Sequence, residues 1–416
     1  MKGVIFSLRD VLATSGQVDE ALTAEMIRLI KFLKSRNIKP VFASNHEWTV
    51  TEGSTGKTRR FQEWLQDYVG EIPFYLGGAG RMPYKPRAGA VAHILKDQRW
   101  TRNEVLFVGN SEIDMRTARN GGVLFLNALW HGEDNPYGYQ FESPKDVARF
   151  VDCLCLGLHD WFWSLKKGDL RVYALAPFTT LSPAYAVAHA YSADARATAK
   201  DRAGDPTFWG RLLAARVYFS GLVDEVNYIA AYPGHAPESQ QPVVAEALTI
   251  LAQSLHKQYL PDLIIRHAKA EKSQTARASG KTVGVENQLS TIKLNPAPMK
   301  GPNGEPYKNN PLTKGKTILL VDDICTQGNS FEAGRTFVQQ TGAKAICVSW
   351  LKTINTDYYA IKTPLSIPNP YIPYAVTKTI PVVAYSYAGA IIDRRATTDL
   401  ASIHKNYLAW NWPDGL

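Results

Sequence analysis

The chain has 416 residues, 45% apolar and 11% aromatic, which excludes a disordered or fibrous class and predicts more than one globular domain. Its formal net charge of +9 and pI of about 9.2 suit ligands that carry phosphate. Nucleic acid fits that charge but is not indicated, because Lys and Arg are dispersed and no nucleic-acid motif is present.

Taken in order, Lys2-Gly-Val-Ile-Phe-Ser-Leu-Arg-Asp-Val-Leu12 predicts a short strand and a turn, followed by a helix over Glu20–Arg36. A second strand, Lys39–Ala43, ends at Ser44-Asn45. A helix around Arg60–Val69 and a strand-like Ile72–Leu76 come next. Tyr84-Lys-Pro86, a helix over Gly89–Leu95 and a strand over Val105–Val108 follow. That strand runs into Gly109-Asn-Ser-Glu-Ile-Asp114 and a helix, and Val123–Leu126 is the next strand. Strands alternating with helices predict a parallel, doubly wound α/β sheet whose polar strand ends form one crevice. Gly53-Ser-Thr-Gly-Lys-Thr58 looks like part of a phosphate loop, but that pattern needs Gly at Thr51 and an apolar strand before it, so a polar loop is expected.

The order of these motifs over about the first 150 residues resembles the haloacid dehalogenase (HAD) superfamily. Ser44 and Asn45 fall at the second motif of that family, Lys85 at the third and Val108-Gly-Asn-Ser-Glu-Ile-Asp114 at the fourth. The first motif departs from it. Phe6-Ser7-Leu8-Arg9-Asp10 puts Ser7 in place of the nucleophilic aspartate and Arg9 in place of the acid/base. With Asn110 also replacing an acid, Asp114 is the one clear carboxylate left for a metal. The resemblance therefore implies a Rossmannoid HAD-like domain at 1–150 that is catalytically silent, with Ser44, Lys85 and Arg9 favouring an anion. Asp10 as a displaced nucleophile is disfavoured, since strand alternation turns it from the side that Ser7 presents.

His131–Asp146 is rich in Gly, Pro and polar residues and reads as a connection. Ser143-Pro144 predicts a helix start, with Ser as N-cap, running to about Leu158. Cys153 and Cys155 lie in that helix as small hydrophobes. With Cys325 and Cys347 they make the four cysteines, which lack the spacing for zinc or for a disulfide framework. Leu170–Ala174 predicts a strand, and Ser182–Leu222 a helix, a polar loop and a second helix. Val226–Ala231 is a further strand that ends in Tyr232-Pro-Gly-His235, and Val243–His256 a helix. Pro261–Arg266 predicts a strand with a cation at its end, before a polar, basic run over His267–Asn295. A Pro-, Asn- and Gly-rich loop then leads to Lys316.

Ile318–Val321 is an apolar run of buried-strand type, and Asp322 and Asp323 stand where it ends. Thr326, Gln327, Gly328, Asn329 and Ser330 form a loop of small polar residues before a helix over Phe331–Gln340. Such a loop turns backbone N–H groups and hydroxyls to one point, which suits a phosphate. Paired carboxylates beside it can accept from sugar hydroxyls or approach a metal held by a second phosphate. Strands follow at Ala345–Leu351 and Pro381–Tyr385, and Trp410 and Trp412 read as packing residues.

Val321-Asp-Asp-Ile-Cys-Thr-Gln-Gly-Asn-Ser330 resembles the phosphoribosyl-pyrophosphate (PRPP) motif of type I phosphoribosyltransferases, departing from it at Gln327. The basic run resembles the hood of the ComF-like branch, in the order Arg266, Gln274, Leu289, Asn295. The resemblance implies a second doubly wound α/β domain of that type over 151–416. Asp322 and Asp323 would hold the ribose and Mg²⁺, residues 326–330 the 5-phosphate, and Ala231, Tyr232, Gly234 and Arg266 the pyrophosphate. Transfer of ribose 5-phosphate from PRPP to an unidentified nitrogen base is the implied reaction. The alternative is a non-catalytic PRPP or nucleotide sensor, with a protein partner held by the HAD-like domain, of the kind found in bacterial stress-response or phage-defence systems. No signal peptide and no apolar run of membrane length are present, so no membrane is expected and the expected setting is cytoplasmic.

Overall fold

The structure, a computed structural model, describes residues 1–12, 20–51, 56–78, 80–131, 136–156, 161–201, 203–237, 242–271 and 283–416. The centre of the 53–58 loop and the hood residue Gln274 lie outside the described residues. Among the described residues no helix is long and apolar enough to cross a membrane.

The strands of the first half are β1 (Gly3–Ser7), β2 (Lys39–Ser44), β3 (Thr49–Thr51), β4 (Thr58–Arg60), β5 (Phe74–Leu76), β6 (Val105–Gly109), β7 (Leu124–Ala128) and β8 (Tyr139–Phe141). Six of them form a parallel sheet in the order β5-β2-β1-β6-β7-β8, and β3 and β4 form a separate hairpin. The central strands are buried on both faces, as helical crossovers require. Their alternate residues go to opposite cores. Val4, Phe6, Leu106 and Leu124 pack with the helix Glu20–Ser35, while Ile5, Phe107 and Phe125 pack with Ala88–Gln98 and Glu112–Gly121.

The second half contains β9 (Trp163–Lys167), β10 (Leu170–Phe178), β11 (Tyr228–Ala231), β12 (Gln258–Tyr259), β13 (Ile264–Arg266), β14 (Ile292–Leu294), β15 (Thr317–Cys325), β16 (Lys344–Thr353), β17 (Tyr358–Ile361) and β18 (Val382–Tyr385). Its main sheet has the order β12-β11-β15-β16-β10-β9 and is parallel except for β9, which turns back on β10 through Gly168-Asp169. The pairs β13–β14 and β17–β18 flank it as two small antiparallel sheets. The fold is thus α/β with two six-stranded sheets.

The halves share one hydrophobic cluster that runs from Val4 to Trp412. Ser143 caps the helix Pro144–Phe150 by accepting from the Asp146 amide, with Pro144 at its first position. This helix is shorter than its sequence pattern predicts and passes into a wider turn at Val151–Cys155. Arg211, buried on the helix Pro206–Phe219, donates to both Asp146 carboxylate oxygens at 2.9 Å and to Tyr407 Oη at 2.8 Å. Trp410 donates to Asp152 at 2.9 Å and meets Phe32 edge-on, which confirms packing for the C-terminal tryptophans.

Candidate functional site

β15 lies between β11 and β16, and all three are parallel, so their C-terminal ends share one edge. Its partners are of unequal length. β11 stops at Ala231, opposite Val321, whereas β16 pairs on with β15 as far as Cys325. The strand therefore continues through the acidic pair rather than ending before it. Asp322 lines a cleft beyond the end of β11, and the Tyr232 amide still donates to the Val321 carbonyl at 2.8 Å. The 231–234 turn and the acidic pair thus sit side by side.

Asp322 is buried and Asp323 is half-buried. Each accepts the next residue's amide: Asp323 N–H to Asp322 Oδ1 at 3.0 Å and Ile324 N–H to Asp323 Oδ1 at 2.7 Å. Burial, and then the charge of Asp323, push Asp322 well above the ordinary carboxylate range. Beyond the pair, Gly328 takes a left-handed φ of 86° and precedes the helix Asn329–Gln339 without a side-chain cap. The first amides of that helix have no intrahelical acceptors and point at the loop. Asp322, Thr326–Ser330 and Gln288 line a cleft of about 120 Å³.

Two buried charged side chains, neither singled out by the sequence motifs, hold this loop from below. Glu332 accepts from Tyr358 Oη, from the Ile361 amide and from Arg335, and the Tyr358 ring lies against Gly328. Lys352, at the end of β16, donates to the Thr326 carbonyl at 2.6 Å. A charged residue in the first turn after a small-residue loop marks Glu332; nothing in the sequence separates Lys352 from a solvated lysine at a strand end.

The structure gives Arg266 a different task from direct anion contact. Its guanidinium is buried and donates to the carbonyls of Gly234 (2.8 Å) and Pro233 (3.5 Å), to Gln288 Oε1 (2.9 Å) and to Thr291 Oγ1. It lies over the Tyr232 ring, whose hydroxyl also donates to Gln288 at 2.7 Å. Arg266 thus ties the 231–234 turn to the helix Val285–Leu289, and burial drives the Tyr232 pKa upward. Leu289 is buried, and Asn295 donates to Asp262 at 2.7 Å.

In the first half, Ser7, Lys85, Asn110 and Asp114 are buried together at the C-terminal edge of β1 and β6. Lys85 Nζ donates to Asp114 Oδ1 at 2.7 Å and to Ser7 Oγ at 3.0 Å. The other Asp114 oxygen accepts from Ser111 Oγ at 2.9 Å and from the amides of Asn110 and Ser111. Asn45 grips the Lys85 backbone, accepting from its amide at 2.8 Å and donating to its carbonyl at 3.0 Å, while Ser44 donates to the His46 carbonyl. Asn110 donates to the Ala128 carbonyl. Arg9, expected at an anion, is exposed and pairs with Asp10 at 3.2 Å. Strand β1 ends at Ser7, and a left-handed Asp10 (φ 56°) turns the chain into the buried Val11 and Leu12.

Among the described residues, no group of three or more His, Cys, Asp or Glu is arranged to hold a metal by itself. Asp322 and Asp323 offer hard oxygen donors and could hold Mg²⁺ together with ligand phosphates, the usual manner of Mg²⁺ sites. Asp114 is already matched by Lys85.

No protein-family model matches the sequence, and no curated protein matches it. Solved structures similar to about a third of the chain include D,D-heptose 1,7-bisphosphate phosphatase from B. bronchiseptica, complexed with magnesium and phosphate (16% identity, 36% of this chain and 98% of that one, TM-score 0.26). Two HAD-superfamily hydrolases are also similar. The one from Geobacter sulfurreducens is 16% identical over 35% of this chain and 97% of that one, with a TM-score of 0.24. The one from Ehrlichia chaffeensis is 20% identical over 34% of this chain and 60% of that one, with a TM-score of 0.23.

Proposed function

We propose that the chain is a PRPP-dependent phosphoribosyltransferase, which moves ribose 5-phosphate to a nitrogen acceptor and releases pyrophosphate. The observation that carries this reading is the shared sheet edge: the Asp322–Asp323 pair, the 231–234 turn and the amide-rich start of the helix Asn329–Gln339 all open on one side. Sugar hydroxyls, a diphosphate and a monophosphate each meet the group that suits them.

In this reading Asp322 and Asp323 accept from the ribose 2- and 3-hydroxyls, and their charge favours a cationic anomeric carbon. The amides and hydroxyls of Thr326–Ser330 hold the 5-phosphate, with Gln327 and Asn329 at its rim. Ala231, Tyr232 and Gly234 present the turn to the pyrophosphate, and Arg266 fixes that turn. The anomeric C–O bond to pyrophosphate breaks, a C–N bond to the acceptor forms, and the acceptor nitrogen gives up its proton. Mg²⁺, when bound with the substrate, would withdraw charge from the leaving pyrophosphate.

The test is pyrophosphate release by the full chain from PRPP and Mg²⁺ with a panel of bases. Release that depends on one base and is lost in Asp323→Ala is expected. Saturable PRPP binding without release from any base replaces this reading with the second one, a PRPP or nucleotide sensor of a bacterial stress-response or phage-defence system. One observation favours that second reading: Asp114 is taken up by Lys85, and a hydroxyl, Ser7, completes the contact at the end of β1. This half then serves as a pseudo-phosphatase scaffold for a protein partner. Mg²⁺-dependent phosphate release that is abolished by Asp114→Ala would overturn that role.

A further inference from the structure

Lys352 is fully buried, and its ammonium spends its donors on three backbone carbonyls: Thr326 at 2.6 Å, Thr356, and Thr353 at the longer distance of 3.4 Å. The rings of Trp163 and Tyr387 stand 5.4 and 5.5 Å from it. Among the described residues no carboxylate reaches ion-pair distance of it, and the charge of Asp357 offsets its burial only in part. Carbonyl dipoles and ring faces compensate a buried cation only in part. The remaining compensation is available from the cleft, because Thr326, whose carbonyl Lys352 holds, begins the loop that lines it.

We propose that Lys352 is the buried counter-cation of the 326–330 loop, a positioning residue whose charge is completed when the monophosphate of a sugar phosphate is seated there. The inference rests on the sugar-phosphate reading of the cleft and deepens it, since it names the group that makes the loop selective for an anion. By holding the Thr326 carbonyl, Lys352 fixes the start of the loop that lines the cleft. The neighbouring Thr326 and Thr353 hydroxyls, 3.0 Å apart, lock the same junction.

The titratable and charged groups around it are Cys325 at the end of β15, Asp357 before β17 and Tyr387, with Asp322 earlier on β15 and Glu332 on the following helix acting on Cys325. Burial raises the Cys325 thiol to about 12 and drives Tyr387 upward, so neither titrates near neutrality. Burial lowers the Lys352 pKa from its ordinary value. An arriving phosphate raises it again, so binding takes up a proton when the pH lies between the free and bound values. Affinity then falls as pH rises through that window, well above the second phosphate pKa of about 6.

The experiment titrates the full chain with ribose 5-phosphate between pH 7.5 and 9.5, in buffers of different ionisation enthalpy. In parallel, the ammonium of Lys352 is followed by nitrogen-15 NMR. Expected are proton uptake at the higher pH, an upward move of the Lys352 titration on binding, and at least a tenfold weaker Kd for Lys352→Met. The NMR titration uses the unaltered protein and decides the matter even where the variant does not fold. Tight binding with no proton uptake and an unmoved Lys352 titration overturns the proposal while leaving the sugar-phosphate site standing. No binding of ribose 5-phosphate or PRPP by the unaltered protein overturns both.

Discussion

Gly328→Ala tests whether the anion loop has the shape on which the functional reading depends. A Cβ built on Gly328 would lie 2.1 Å from Tyr358 Cε2 and 2.5 Å from Cδ2 and Cζ. Ordinary carbon contacts begin near 3.5 Å, so ring or loop must retreat by more than about 1 Å. The ring cannot do so freely, because it is fully buried and its hydroxyl is held by Glu332 at 2.9 Å. Overpacking of this kind costs about 1–3 kcal/mol, and alanine at a φ of 86° adds about 1–2 kcal/mol. The expected loss of about 2–5 kcal/mol falls on the loop, which shifts and loses its alignment with the phosphate. Thermal unfolding and ribose 5-phosphate titration of the full chain measure the two effects together. Gly342→Ala is the control: its φ is 80° and its nearest neighbours stand at 3.3 Å, away from the cleft. It should lose stability through backbone strain and keep its affinity. If Gly328→Ala melts with the unaltered protein and binds ribose 5-phosphate within twofold of it, the loop geometry described here does not hold the anion.

Three further outcomes are expected. Asp322→Asn should abolish Mg²⁺-dependent PRPP binding and yet raise the melting temperature by a few degrees at pH 8. The raised pKa of Asp322 gives stability that is complete below about pH 4 and lost as pH rises through the folded value; melting curves at pH 5 and 8 that show no larger gain at pH 8 contradict this. Lys85→Met strands a buried Asp114 charge and should cost about 3–5 kcal/mol, read as a fall in melting temperature larger than that of Ser7→Ala. Arg211→Met should cost a similar about 3–5 kcal/mol and split the calorimetric transition in two, because Asp146 loses its partner across the seam. Burial opposes the Asp146 charge, but Arg211 and Arg149 outweigh it and hold the pKa low. The seam is therefore intact above about pH 4 and loosens as pH falls through the depressed value. Acid should therefore lower the melting temperature of the parent more than that of Arg211→Met, and an equal acid response in the two would refute the pairing.

The elements that the sequence discloses are those whose pattern is local. The apolar run before Asp322, the alternating strands of the first sheet and the Ser143-Pro144 helix start all survive into the structure within a few residues. What it hides depends on partners far along the chain. The end of β15 is set by β16, which stays paired through Cys325, so the acidic pair lies within the strand. Arg266 ends an apolar run in sequence and looks free for an anion; only the folded 233–234 turn supplies the carbonyls that take its donors. Asn45 falls at a motif position associated with phosphate and instead fixes the Lys85 backbone. The β9–β10 hairpin was within reach, since Lys167-Gly-Asp-Leu170 joins two strands by a two-residue turn containing Gly.

Two buried lysines distinguish the halves electrostatically. Lys85 and Asp114 meet at 2.7 Å, both nearly excluded from water, and Ser7 takes a further donor. Such a pair is neutral as it stands, so an arriving phosphate would have to break it and leave Asp114 facing the anion at close range, a cost of several kcal/mol. Lys352 is as deeply buried but, among the described residues, donates only to carbonyls, with Asp357 acting on it from beyond ion-pair distance. Its field extends through Thr326 into a loop that already presents amides, and a phosphate there gains attraction without breaking an ion pair. Opposite that loop the buried Asp322 is held above the ordinary carboxylate range by burial and by Asp323, a repulsion that a cation or a set of sugar hydroxyls relieves. The second cleft therefore has a buried, partly compensated cation behind one side and crowded carboxylates on the other. In the proposed reading a sugar phosphate, anionic at one end and rich in hydroxyl donors at the other, relieves both at once, whereas the first pocket would have to give up an ion pair.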